Sequence, residues 1–94
     1  MSNLQAMSLL PSSQTPLNQH SLSGIESWLH GMGANKSKTD PCLWLWVTPQ
    51  WSAEIKLERD ELKVTWEQEG KSSQRSFPYG LPRYDIQIAI AEGP

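Results

Sequence analysis

From Cys42 to Phe77 apolar and polar residues alternate with a period of two, the pattern of strands with one buried face. Cys42-Leu43-Trp44-Leu45-Trp46-Val47, Trp51 to Leu57 and Leu62 to Trp66 read as three strands, and a fourth runs through Phe77. The apolar sets fix a register. A turn at Pro49-Gln50 sets Trp46 against Ala53, Trp44 against Ile55 and Cys42 against Leu57. A turn at Arg59-Asp60 sets Leu57 against Leu62, Ile55 against Val64 and Ala53 against Trp66. A turn at Gly70-Lys71 sets Val64 against Phe77, Leu62 against Tyr79 and Trp66 against Arg75, where a cation–π contact is expected. A slip of one residue in any of them would turn a strand's apolar set to the wrong side. Pro78 marks the last strand as an edge, where a missing N–H is tolerated.

Before the sheet, Ser21 to Gly33 has a helical period. Leu22, Ile25, Leu29 and Met32 share a stripe with Trp28 at its flank. Ser21 or Ser23 can cap it, Ser23-Gly24-Ile25-Glu26 fits a capping box, and Gly33 is placed to end it. Ala34 to Asp40 reads as a polar loop. After the sheet, Tyr84 to Ala91 fits a strand by alternation and a helix by Ile86, Ala89 and Ile90. Pro82 ahead of it, Asp85 in its first turn and Gly93 at its end favour the helix. The expected fold class is α+β: two layers, a four-stranded antiparallel meander with a helix before and a helix after it on one face, in the order α-β-β-β-β-α.

Composition adds a boundary. All charged residues lie after His20, and residues 1–20 are rich in Ser, Gln, Asn and Pro, which bury too little to offset their ordering entropy. They are expected as a mobile tail, with Leu4, Met7 and Leu10 at helical spacing, and residues 21–94 as one domain. A domain so small needs its large aromatic rings for a core. The net charge of -2 and pI near 5.6 argue against a nucleic-acid or anionic-membrane surface. One cysteine excludes an internal disulfide framework and suits a reducing compartment. No apolar run is long enough to span a bilayer, and no basic stretch leads an apolar one at the N-terminus. The expected location is cytoplasmic.

Three segments together resemble a known family: Thr15-Pro16-Leu17-Asn18-Gln19-His20-Ser21-Leu22 leading into Ile25-Glu26-Ser27-Trp28-Leu29; Pro41 to Ile55; and Phe77-Pro78-Tyr79-Gly80-Leu81-Pro82-Arg83 running to Glu92-Gly93-Pro94. They are similar to a small cyanobacterial family known as domain of unknown function 3143, over roughly residues 15 to 94. The family pattern has a serine where this chain has Pro82. The resemblance implies a cyanobacterial cytoplasm and a photosynthetic setting. It carries over no catalytic residue.

The candidate chemistry is thin. Gly70-Lys71-Ser72 matches the end of a phosphate-binding loop, but Thr65 stands where the pattern needs glycine, and a hairpin follows rather than a helix. Asn35-Lys36-Ser37 is a glycosylation pattern without a secretion signal. Cys42, His20 and His30 lack the spacing of metal ligands, and Cys42 is expected on the apolar sheet face, where a thiol is inert. Glu54, Glu58, Asp60, Glu61, Glu67 and Glu69 interleave with Lys56 and Lys63 as a solvated outer row rather than a catalytic pair in a cleft. Trp28, Trp44 and Trp46 are placed to fill the core or to line a pocket between sheet and helices. No catalytic residue, cofactor or metal site is expected, and the chain is read as no enzyme.

With Trp44 and Trp46 filling the core face, Leu43, Leu45 and Val47 must point outward, on a strand expected at the sheet edge. An apolar strip there is either covered by Leu9, Leu10 and Leu17 of the tail or used to bind a partner. The expected function is a non-enzymatic protein-interaction module, an adaptor or assembly factor. It docks through the first strand edge and the N-terminal tail, on another protein or by self-association. The alternative is an RNA-binding domain of double-stranded-RNA-binding topology. Against it, the start of the last helix carries only Arg83, where such domains place several basic residues.

Overall fold

A computed structural model describes residues 10–94. Their fold is α+β: a helix, a five-stranded antiparallel sheet and a C-terminal helix. Helix α1 spans Leu22–Met32, and α2 spans Arg83–Glu92. The strands are β1 (Asn35–Lys36), β2 (Leu43–Val47), β3 (Ser52–Leu57), β4 (Glu61–Gln68) and β5 (Lys71–Pro78), ordered as in the chain. The expected four strands are therefore five. The extra one is a polar pair, Asn35–Lys36, set against Leu45 and Trp44. It is too short and too polar for any alternation to announce it.

Two of the three hairpin registers stand as expected: Trp44 faces Ile55, Trp46 faces Ala53, Ile55 faces Val64 and Leu57 faces Leu62. The third is shifted by two residues. Leu62 faces Phe77, Val64 faces Arg75 and Trp66 faces Ser73. The turn is Glu69-Gly70, both at positive φ (52° and 78°), as a two-residue turn matched to strand twist requires. A shift of two preserves the face and changes only the partners. Arg75 consequently lies over the Phe77 ring, 4.9 Å from its centroid, rather than over Trp66.

One face of the sheet forms the core with the helices: Trp44, Ala53, Ile55, Leu62, Val64, Trp66 and Phe77 are buried against Trp28, Leu29, Ile86 and Ile90. Trp66 Nε1 donates to the Ile90 carbonyl at 3.3 Å, and Trp28 Nε1 donates to Gln87 Oε1 at 2.9 Å. Burial fixes α1's inner face at Gly24, Trp28 and Leu29, so Leu22, expected on the stripe, stands 65% exposed. Ser21 caps the helix by accepting from the Gly24 N–H at 3.0 Å. Gly33 ends it in the left-handed region, where a Cβ would also press on Trp46 Nε1 at 3.2 Å. Residues 84–91 are helical. Their alternation leaves Tyr84 and Ile88 on the solvent side while Ile86 and Ile90 face in.

Residues 10–20, expected within a mobile tail, are laid across the start of α2. Leu17 is completely buried in the core and Leu10 packs beside it. Leu17 N–H donates to the Leu81 carbonyl (3.0 Å) and Asn18 N–H to that of Tyr79 (2.8 Å). Arg83 and Tyr84 N–H donate to the carbonyls of Thr15 (3.0 Å) and Ser13 (2.8 Å). These last two bonds explain how α2 starts at Pro82, which offers no capping side chain: the strap's carbonyls satisfy the exposed N–H groups instead. The readings placed on Leu4, Met7 and Leu9 lie outside the described residues.

Candidate functional site

The face of the sheet turned away from the helices carries the candidate site. Register places its side chains in cross-strand rows. Val47, Ser52, Glu67 and Ser72 form one row. Asn35, Leu45, Glu54, Thr65 and Gln74 form the next, and Leu43, Lys56, Lys63 and Ser76 the third. None of these residues is buried. The loop before β2 reaches this face at Lys56, through Asp40, whereas a sheet normally needs cover wherever it carries apolar side chains.

All three expected site residues share this face. Leu43 is half-buried, Leu45 is 40% exposed and Val47 is 76% exposed. The strand that holds them is not the edge it was expected to be. β1 pairs with it at Trp44 and Leu45, and the Ser37 N–H donates to the Leu43 carbonyl at 2.8 Å. Strand addition along Leu43–Leu45 is therefore blocked, and what β2 offers is its face.

Leu45, Val47, Ser52, Glu54, Thr65 and Glu67 line a shallow depression of about 400 Å³ on that face. The aliphatic pair stands on β2, Ser52 and Glu54 on β3, and Thr65 and Glu67 on β4, so Glu54 faces Leu45 directly and Ser52 stands between Val47 and Glu67. Glu67 Oε2 accepts from Ser72 Oγ at 3.2 Å. Among the described residues neither carboxylate has an ion-pair partner. The cations of the same face are engaged one row away: Lys56 Nζ lies 3.4 Å from Asp40 and Lys63 Nζ lies 3.7 Å from Glu58. Sequence reasoning placed Glu54 and Glu67 in a solvated row. Their adjacency to Leu45 and Val47 follows from the first two registers.

Other candidates fall apart in space. Gly70-Lys71-Ser72 continues a hairpin turn into β5. His30 is exposed in the last turn of α1, and His20 is buried, its Nδ1 3.1 Å from the Pro16 carbonyl oxygen. Cys42 was expected on the core face and is instead exposed, because the strand begins one residue later. No group of His, Cys, Asp or Glu able to hold a metal occurs among the described residues, and none of their helices is long and apolar enough to cross a membrane. Trp28 and Trp44 are core rings. Trp46 is half-buried and meets Trp51 edge to face, with centroids 5.2 Å apart.

Two titrations are displaced, both away from the depression. The Cys42 N–H, donating at 2.9 Å, holds the Asp40 carboxyl below its usual range, with Lys56 helping. Burial pushes the Tyr79 phenol above its usual value, and the charges of Cys42, Glu58, Glu61 and Asp60 add to this. Its hydroxyl donates to the Glu58 carbonyl.

A family model described as "Protein of unknown function (DUF3143)" matches residues 32–93, from the end of α1 through the sheet to the end of α2. No curated protein and no solved structure matches the chain.

Proposed function

We propose, for a chain that belongs to the DUF3143 family, a role as a non-enzymatic protein-interaction module, an adaptor or assembly factor, that docks through the outer face of its sheet. The observation that carries this reading is the exposed strip of Leu45 and Val47 at the depression, on a face whose rows contain no buried residue among the described ones. Apolar side chains gathered on one open face favour association over solvation. The core does not use them, since the other face already buries Trp44, Ile55, Val64 and Trp66. The role belongs in the cytoplasm of a cyanobacterial cell, and the partner is another protein.

The test is co-purification from that cytoplasm, with ribonuclease present and absent. It compares wild type with Leu45→Lys, Val47→Lys and, as a control on the helical side, Leu22→Lys. All three positions are exposed, so the variants should fold. The expected result is a protein retained after ribonuclease, lost with the two outer-face variants and kept by Leu22→Lys. Binding that vanishes with ribonuclease would replace this reading by the RNA-binding one. Binding lost only with Leu22→Lys would move the surface to the helices.

A further inference from the structure

The charge around the depression is one-sided, and this bears on what fits there. Glu54 faces Leu45 on the neighbouring strand, and Glu67 lies in the row of Val47, one strand further on past Ser52. β5 brings no cation to this face. Its Lys71 and Arg75 alternate with Ser72, Gln74 and Ser76, so they point to the helical side, where Arg75 covers Phe77. Lys36 of β1 is also on the helical side, 2.8 Å from Glu26 and over the Trp44 ring. Lys56 and Lys63 are drawn toward Asp40 and Glu58 in the third row. The depression thus holds two exposed carboxylates, neither in an ion pair among the described residues, and the nearest cations of the face, Lys56 and Lys63, are paired with other carboxylates.

On the reading that this face docks a protein, we propose that the docked segment carries an aliphatic side chain flanked by lysine or arginine. The aliphatic group fills the depression against Leu45 and Val47, and the cations meet Glu54 and Glu67. An acidic segment would meet two like charges there, so the carboxylates select by repulsion as well as by attraction. At an exposed rim each pair is worth about a two- to fivefold change in affinity, weakened further by salt.

The full chain, labelled for amide chemical shifts, is titrated with three synthetic peptides that differ only at the central motif: leucine between two lysines, leucine between two glutamates, and serine between two lysines. The lysine-flanked leucine peptide is expected to shift the amides of Leu45, Val47, Glu54 and Glu67, and the others far less. The variant carrying Glu54→Lys and Glu67→Lys should bind that peptide about tenfold more weakly and prefer the glutamate-flanked one. The paired Glu54→Gln and Glu67→Gln variant should lose the preference altogether, which keeps the test valid if the lysines unfold the sheet.

A wild-type chain that takes both leucine peptides equally on this face would overturn the charge assignment and leave the docking face intact. Equal binding of the serine peptide would overturn the aliphatic seat. Shifts confined to α1 and α2 would overturn both the inference and the docking face it rests on, as would no shift at all. A dimer in sedimentation that Val47→Lys dissociates would overturn the inference by making a second copy the occupant.

Discussion

Leu17→Ala separates a packed strap from a tail. Leu17 lies in a stretch whose composition marks it as unstructured, yet it is completely buried among the core residues. Removing three carbons from a fully buried side chain costs about 2.4 kcal/mol in transfer free energy, at about 0.8 kcal/mol per methylene. A cavity term adds to this where the surroundings cannot close up. Here they are held: the backbone at Leu17 and Asn18 is bonded to Leu81 and Tyr79, and neither bond is touched by the substitution. The expected loss is therefore about 3 kcal/mol, within the usual range for buried leucine. A domain of this size has about 5–15 kcal/mol in total, and a loss of about 3 kcal/mol should lower the midpoint of thermal unfolding by roughly 12–24 °C. Urea unfolding followed by tryptophan fluorescence reads it, since Trp28, Trp44 and Trp66 are buried. Deleting residues 1–20 also removes the carbonyls that cap α2 and should cost more still. A Leu17→Ala change within 0.5 kcal/mol of wild type, the ordinary result at an exposed site, would refute the packing of residues 10–20 on the domain.

Further expectations concern the turns, the buried phenol and the docking strip. Gly33→Ala should destabilise by about 1–2 kcal/mol, because a side chain is disfavoured at φ 108° and its Cβ would crowd Trp46. Gly70→Asn should cost less than 1 kcal/mol and Gly70→Val clearly more, since the turn needs positive φ but no atom lies within 4 Å of the added Cβ. Tyr79 holds its proton more tightly folded than unfolded. Its contribution is therefore intact below the ordinary tyrosine value near 10 and is lost as pH rises from there through the higher folded value. Urea midpoints at pH 7 and pH 10.5 should differ less in Tyr79→Phe, which itself costs about 1 kcal/mol at neutral pH for the lost hydrogen bond. Leu45→Lys should leave the urea midpoint within about 0.5 kcal/mol of wild type, so that any loss of binding is a surface effect.

What the sequence made legible was whatever a period of two or of 3.6 controls. The sheet face came from Trp44, Ile55, Val64 and their neighbours, and two registers came with it, because one-residue slips are so costly to burial. The third hairpin shows the limit. Phe77 and Tyr79 have the same parity, so burial could not choose between registers two residues apart. The positive φ at Glu69, which decides the matter, is not a feature glutamate advertises. β1 has two residues and no apolar one. The strap is held by main-chain hydrogen bonds and by Leu17, with Leu10 packed against the core, and none of this shows in its composition. The site was half visible: alternation placed Leu43, Leu45 and Val47 outward, whereas their bordering carboxylates and hydroxyls needed the neighbouring strands. Calling β2 an edge failed because Asn35 and Lys36 cap it by backbone pairing, which side-chain chemistry does not reveal.

The most direct test of the outer face as a docking surface is photocrosslinking in living cells of the source organism. A benzophenone side chain replaces Val47 in one strain, Leu22 on α1 in a second and Tyr84 on α2 in a third, all exposed positions on known sides of the domain. Ultraviolet light should yield a discrete protein adduct from position 47 and none from positions 22 and 84. Adducts from the helical positions with none from position 47 would contradict the assignment of the docking surface to the sheet.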